Sequence, residues 1–305
     1  MTHATASELS GHVGHLSPEQ ETALIQFRSN LIAAGLCPVD PFAPEVVANG
    51  PGYNRYDDAT LLRFLRARKF DLVKAQEMWK ANEEWRKSYG TDQLWKTFDY
   101  PTGEEKATIE KYYPQYYHKM DKDGRPVYVE VLGQLDMNKL FAATTQERMI
   151  KCLVYEYEKL FRERLPACQA VVGHTVETSC TILDLNNVGL SNFYKVKNYV
   201  GEASTIGQNY YPETMGKFFI INSPYLFSGV WSLVKPWLDE VTVRKISIPG
   251  RDWKTQLLAQ VPAENLEVKF GGKSTEPASS DAGPWNTESG RQAVAAAHGP
   301  YSSTH

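Results

Sequence analysis

The chain has 305 residues, 42% of them hydrophobic and 12% aromatic, which is enough to build a core without disulfide or metal staples and long for one small domain. Its 33 Lys plus Arg against 36 Asp plus Glu leave a net charge of −3, which excludes disorder throughout and a protein held on nucleic acid by bulk charge. Any anionic ligand must be met by a few local cations. The four cysteines, Cys37, Cys152, Cys168 and Cys180, form no CxxC pair and no zinc-ligand spacing, and the opening lacks a secretory leader, so a reducing, cytosolic setting is expected. The longest charge-free stretch, 218–234, is broken by Asn222-Ser223-Pro224 and falls short of the ~20 apolar residues a membrane span needs.

In chain order, residues 1–16 are polar and read as a flexible tail, in which nothing fixes His12 and His15 as zinc ligands. Ser17-Pro18-Glu19-Gln20 combines an N-cap, a first-turn proline and a capping-box glutamine, and Leu24, Phe27 and Leu31 continue a helical stripe to about Gly35. Four prolines, Pro38, Pro41, Pro44 and Pro51, make the next stretch a loop. Asp57-Asp58 caps a short helix carrying Leu61, Leu62, Phe64 and Leu65. Asp71 caps another, with Leu72, Ala75, Met78, Asn82 and Trp85 on one face. Residues 17–96 are therefore an all-α unit. The runs 116–120 and 126–133 around Asp121-Lys122-Asp123-Gly124 predict a hairpin, and Thr144-x-x-Glu147 predicts a capping box opening a long helix to Leu165. A strand at 178–185, a helix at 193–209, a strand at 217–221, an apolar helix at 225–238 and a strand at 245–248 follow. Strands separated by helices predict an α/β domain with a mainly parallel sheet over 97–273. Residues 274–305 contain no Leu, Ile, Met or Phe and read as a second flexible tail, unable to build a core of its own.

The chain has no GxxxxGK[ST], no GxGxxG, no HExxH and no GxSxG, which removes the commonest α/β chemistries and leaves a binding module in front. Three features bear on what is bound. The 225–238 segment spreads Phe227, Val230, Trp231, Leu233 and Val234 over more than one face with Lys235 as its single charge, so it is either a buried central helix or an element that at times meets lipid. Gly229 and Pro236 favour a mobile element. On the strand at 178–185, Glu177, Ser179 and Thr181 share one face, which suits a polar-lined cavity or a hydrogen-bonded core. Tyrosines crowd the same region: Tyr112, Tyr113, Tyr116, Tyr117, Tyr128, Tyr155, Tyr157, Tyr210 and Tyr211. Such rings fill cores, and they can also surround a quaternary ammonium.

Five blocks, LLRFLRARKFD at 61–71, YPQYYHKMDKDGRPVY at 113–128, ETSCTILDL at 177–185, QNYYPE at 208–213 and MGKFFIINSP at 215–224, resemble the CRAL-TRIO lipid-exchange proteins. The resemblance spans about 17–273, with the fungal-type phosphatidylinositol/phosphatidylcholine transfer proteins as its nearest branch. It implies a helical N-terminal domain beside an α/β domain whose sheet floors a hydrophobic lipid pocket. It implies a gating helix there, with Phe227, Val230, Trp231 and Val234 on it. By position, Arg68, Lys69, Glu213, Thr242 and Lys245 fall at the inositol phosphate site, and Tyr117, Tyr128, Tyr157, Ser179, Thr181 and Tyr211 at the phosphatidylcholine site. It further implies a non-enzymatic monomer without cofactor, whose ligands are phosphatidylinositol and phosphatidylcholine. That monomer would meet Golgi and endosomal membranes transiently and serve lipid kinases. One departure is Thr214, where the family usually has a basic residue. A carrier of sterol, tocopherol-like compound or haem is the alternative within the family, against which Arg68 and Lys245 argue. A lipid hydrolase is the alternative outside it, and would need His118 or His174 as its base.

Overall fold

The computed structural model describes residues 9–43, 46, 53–99, 103–188, 190–224, 227–238 and 240–298, without the side chains of 190–197, 237, 297 and 298. Helix α1 (Pro18–Ala33) starts as its sequence demands: Ser17 Oγ accepts from Gln20 N, and Gln20 Oε1 accepts from Ser17 N at 2.9 Å. Asp57 caps α2 (Asp58–Ala67) and Asp71 caps α3 (Leu72–Tyr89), which ends at Gly90 with φ 74°, a conformation glycine adopts freely. Phe27, Leu31, Leu61, Leu62, Phe64, Leu65 and Trp79 close the core of this helical unit. Two further short helices, α4 (Thr91–Thr97) and α5 (Gly103–Tyr112), lead to the sheet.

The hairpin β1 (Gln115–Met120) and β2 (Pro126–Val131) is antiparallel. Next come α6 (Met137–Ala143) and α7 (Gln146–Lys159). The cap of α7 is Thr145, whose side chain accepts from Arg148 N, one residue past the expected position. Thr144 is buried and spends its hydroxyl on Glu105 Oε1 at 2.8 Å. The expected long helix is also interrupted. Pro166 has no N–H to give the carbonyl four residues back, and a π turn (Leu160–Arg164) absorbs the mismatch before α8 (Leu165–Val172). The remaining elements are β3 (Ser179–Asp184), α9 (Leu190–Tyr210), β4 (Met215–Ile221), α10 (Phe227–Val234), α11 (Glu240–Lys245), β5 (Ile246–Ser247), α12 (Trp253–Gln260) and α13 (Glu288–His298). Strand order is β1-β2-β3-β4-β5, with β2 to β5 parallel, so the chain is α/β with a mainly parallel sheet. β5 has only two residues, and Lys245 closes the helix before it.

Both ends of the described chain are docked, where the sequence suggests loose tails. Val13 and Leu16 pack on the helical core, and His12 Nδ1 lies 3.2 Å from Glu177 Oε2, which also accepts from Arg66 Nη2 at 2.6 Å. The C-terminal strap, 274–298, has no core of its own, yet it inserts Trp285 into the cluster of Tyr117, Leu160, Leu165 and Cys168. Trp285 is 3% exposed, and α13 lies against α8.

The two parts of the molecule are joined by a buried charge cluster. Glu158 on α7 is fully buried, and its carboxylate accepts from Arg86 on α3 at 2.8 Å, from Arg162 at 2.9 Å and from Tyr211 Oη at 2.8 Å. Burial alone would raise this carboxyl, but the two guanidiniums outweigh it and hold it at about 2. Replacing Glu158 with Ala takes from buried Arg86 and Arg162 the carboxylate they share and should lower stability by about 3–5 kcal/mol in urea unfolding. A carboxyl held below its ordinary 4.5 stabilises fully above that value and progressively less as pH falls toward 2. The variant should therefore lose less stability than wild type across that window, and an unchanged pH slope would contradict the assignment.

Candidate functional site

The alternation of strand side chains sends two rows of residues to one face of the sheet. In the first row, Gln115 pairs with Glu130, Glu130 with Leu183 and Leu183 with Ile220. In the second, Tyr117 pairs with Tyr128, Tyr128 with Thr181 and Thr181 with Phe218. All eight line one cavity of about 390 Å³, joined by Ser179 and Met215 at its near end. The intervening residues, among them Val127, Val129, Cys180, Ile182 and Phe219, pack the opposite face against Leu257, Val261, Leu266 and Phe270. The hydroxyl-bearing face of β3 is thus the cavity floor. One wall comes from Leu153, Glu156, Tyr157 and Leu160 around α7, another from Tyr199, Val200 and Ala203 on α9.

Helix α10 covers the cavity. Phe227, Val230, Trp231 and Val234, spaced at i, i+3, i+4 and i+7, all face it. The opposite side carries exposed Ser228, Gly229 and Ser232, so the helix is amphipathic rather than apolar all round; Leu233, 54% exposed, is the large apolar residue outside. Tyr225 and Leu226 lie outside the described residues. The helix passes into a 3-10 turn (Lys235–Trp237) that contains Pro236.

Of the tyrosines singled out for the choline end, Tyr117, Tyr128 and Tyr157 line the cavity together with Ser179 and Thr181. The Tyr117 and Tyr128 rings are 5.0 Å apart. Tyr211 does not line it. Its ring stands behind Tyr157, parallel to it at 4.4 Å, and its hydroxyl is committed to Glu158. Phe161 and then Arg63, whose guanidinium lies 4.0 Å from the Phe161 ring, extend this stack toward the helical unit. Tyr116 points to the other face of the sheet, while Tyr155 and Tyr210 stack on Trp95 and Trp85.

The inositol-site candidates do not line the cavity, and the structure pairs only two of them beside it. Lys245 Nζ meets Glu213 Oε2 at 3.1 Å, and the next residue of each, Ile246 and Thr214, is a lining residue. Thr242 lies one turn earlier on α11. Arg68 and exposed Lys69 follow α2, which Arg63 ties to the carbonyl of Pro212 at 3.4 Å and Arg66 ties to Glu177. Lys69 and Glu213 both hold left-handed backbone, φ 52° and 59°, a strained choice for side chains of this kind that points to a constrained role. The basic cluster on α2 is therefore split: Arg63 and Arg66 hold the two parts of the molecule together, while Arg68 donates to the neighbouring carbonyl of Ala67.

Sequence reasoning missed Gln115, Glu130 and Tyr199. The first two were in phase with Tyr117 and Tyr128, and the two-residue period alone places them in the cavity. Glu130 accepts from Tyr113 Oη at 2.5 Å, and burial pushes its carboxyl above 4.5. Neither histidine of the sheet domain reaches the site. His118 Nε2 contacts Ser274 Oγ at 2.9 Å and His174 is exposed. No group of His, Cys, Asp and Glu among the described residues is arranged to hold a metal, and no described helix is long and apolar enough to cross a membrane.

Comparison with known proteins agrees with this architecture. The CRAL/TRIO domain family matches residues 110–272, and the CRAL/TRIO N-terminal domain family matches 49–81. The SEC14 cytosolic factor of Candida glabrata is 51% identical over 92% of this chain and 88% of its own length. The protein of that name in Yarrowia lipolytica is also 51% identical over 90% of this chain, which spans only 53% of it. The phosphatidylinositol/phosphatidylcholine transfer protein SFH7 of Arabidopsis thaliana is 41% identical over 76% of this chain and 43% of its own. The crystal structure of Sfh5 shares the fold, with a TM-score of 0.60 and 17% identity over 85% of this chain and 91% of that one.

Glu130 gives a test of the cavity's electrostatics. Glu130→Ala should cost about 1–3 kcal/mol by leaving the Tyr113 hydroxyl without its acceptor, whereas Glu130→Gln keeps an acceptor and should cost less than ~1 kcal/mol. Because the folded carboxyl titrates above 4.5, wild-type stability from this group falls as pH rises past that value, and Glu130→Gln should remove that fall. Urea midpoints between about pH 4 and 8 measure it. The same slope in the Gln variant would mean another group is responsible.

Proposed function

Since the chain belongs to the CRAL-TRIO family, we propose that it is a non-enzymatic carrier that exchanges phosphatidylinositol and phosphatidylcholine between membranes. The observation that carries this reading is one cavity with apolar walls, a floor band of Tyr117, Tyr128, Ser179 and Thr181, and a helical cover whose apolar side faces in. At about 0.8 kcal/mol per CH₂, two long acyl chains would cost well over ~15 kcal/mol to leave in water, so a carrier must enclose them. Tyrosine faces attract a quaternary ammonium, and hydroxyls donate to a phosphate. In this reading Arg68, Lys69 and Lys245 supply cations for an inositol phosphate, and Glu213 and Thr242 supply partners for its hydroxyls.

The Arabidopsis relative is named for the same two lipids, and the absence of His118 and His174 from the lining favours a carrier over a hydrolase. Thr214 lines the cavity, so a neutral hydroxyl takes the position where a basic residue is usual. Trp231 and its neighbours on α10 would trade contact with the cavity for contact with the bilayer, which keeps their apolar area out of water in both states. Cytosolic transit as a monomer, visits to Golgi and endosomal membranes, and presentation of phosphatidylinositol to lipid kinases complete the proposal.

Lys245→Ala or Arg68→Ala should reduce phosphatidylinositol exchange between vesicles by about tenfold, the value of one charge-assisted hydrogen bond, and leave phosphatidylcholine exchange near wild type. Ser179→Ile combined with Thr181→Ala should do the reverse. Equal losses for both lipids in either variant would overturn the division of the site, and a wild-type protein that exchanges neither lipid would overturn the carrier itself.

A further inference from the structure

Tyr117 lines the cavity, and the Arg164 guanidinium sits 3.9 Å from its ring centroid. A cation already held against a ring opposes a second one, because both draw on the same quadrupole. Arg164 is buried, so water does little to screen it. Its charge is balanced by Glu156 at 2.9 Å and by Asp281 at 3.2 Å, and Asp281 also takes Lys159 at 2.7 Å. Lys159 and Arg164 thus face Glu156 and Asp281, with Glu163 close by, and Asp281 comes from the C-terminal strap.

The strap is built to hold Asp281 there. Asp281 adopts φ 46°, its carbonyl accepts from Trp285 Nε1 at 2.8 Å, and Trp285 packs edge-on against Tyr117 at 6.3 Å. Any side chain at Gly283 would meet the Trp285 ring at 2.3 Å, so the turn that seats the tryptophan requires glycine. Lys119 N donates to Ala282 O at 2.6 Å, fixing the turn to β1.

We propose that Asp281 is a specificity-determining residue: by neutralising Arg164 beside Tyr117, it leaves that ring able to attract the quaternary ammonium of a choline headgroup in the cavity. The strap thereby sets the ratio of phosphatidylcholine to phosphatidylinositol that the protein loads. This inference rests on the phospholipid reading above.

Asp281→Asn tests it, since the anchor uses the main-chain carbonyl of Asp281 and the amide side chain keeps the size and one acceptor. The full chain is equilibrated with vesicles containing equal phosphatidylcholine and phosphatidylinositol, and bound lipid is counted by native mass spectrometry. The ratio of choline to inositol lipid should fall about three- to tenfold, the worth of one cation–π contact, and Asp281→Glu should restore it. An unmoved ratio in Asp281→Asn, or equal loss of both lipids, overturns the proposal. Failure of the wild type to load either phospholipid would instead defeat the carrier reading, so the two failures are distinguishable.

Discussion

A carboxylate with no access to water needs fixed donors on every side, and Glu158 obtains them from three separate parts of the chain. Arg86 comes from the helical unit, Arg162 from the π turn, and Tyr211 from the loop before β4. The position of each is thereby referred to a single point. Tyr157, the neighbour of Glu158, is the cavity wall, and Tyr211 backs it through ring stacking. The packing of the helical unit against the sheet domain and the shape of the cavity are consequently one problem, and moving α3 would move the wall.

The period of two along the strands does the rest. It divides the sheet into a dry face under α12 and a lined face under α10, so each strand contributes to both core and cavity. Its polarity is uneven: hydroxyls and tyrosine rings occupy the floor, Glu130 and Glu156 add carboxyls to the lining, and Glu213 and Lys245 pair just outside it. Adjacent residues separate the two environments, with Glu213 outside and Thr214 inside, Lys245 outside and Ile246 inside.

Much of this was legible because local chemistry and tertiary use agree. Ser17-Pro18-Glu19-Gln20, Asp57 and Asp71 start helices where their caps say, and the face shared by Ser179 and Thr181 faces the cavity. Legibility failed where a distant partner decided. The sequence favours Thr144 as the cap, with Glu147 three residues on, but buried Glu105 takes the Thr144 hydroxyl and Thr145 caps the helix instead. Tyr211 reads like Tyr157 until Glu158 claims its hydroxyl. Residues 274–305 were judged by what they lack, and one buried indole outweighs that composition once Tyr117 and Leu160 offer it a site. Within 225–238 no single-sequence signal separates Leu233, which faces out, from Val234, which faces in.

The bond from Lys119 N to the carbonyl of Ala282 has a bearing on solubility as well as on ligand choice. β1 is the outer strand of the sheet, and an open outer strand offers its backbone to any other extended chain. At the far side the hazard is small, because β5 has only two residues to offer. At the near side the strap crosses over β1 and occupies part of that offer. A chain cleaved before residue 281 would keep its helical core and most of its sheet, yet would present a longer bare edge to its copies, making the strap a guard against strand-to-strand association.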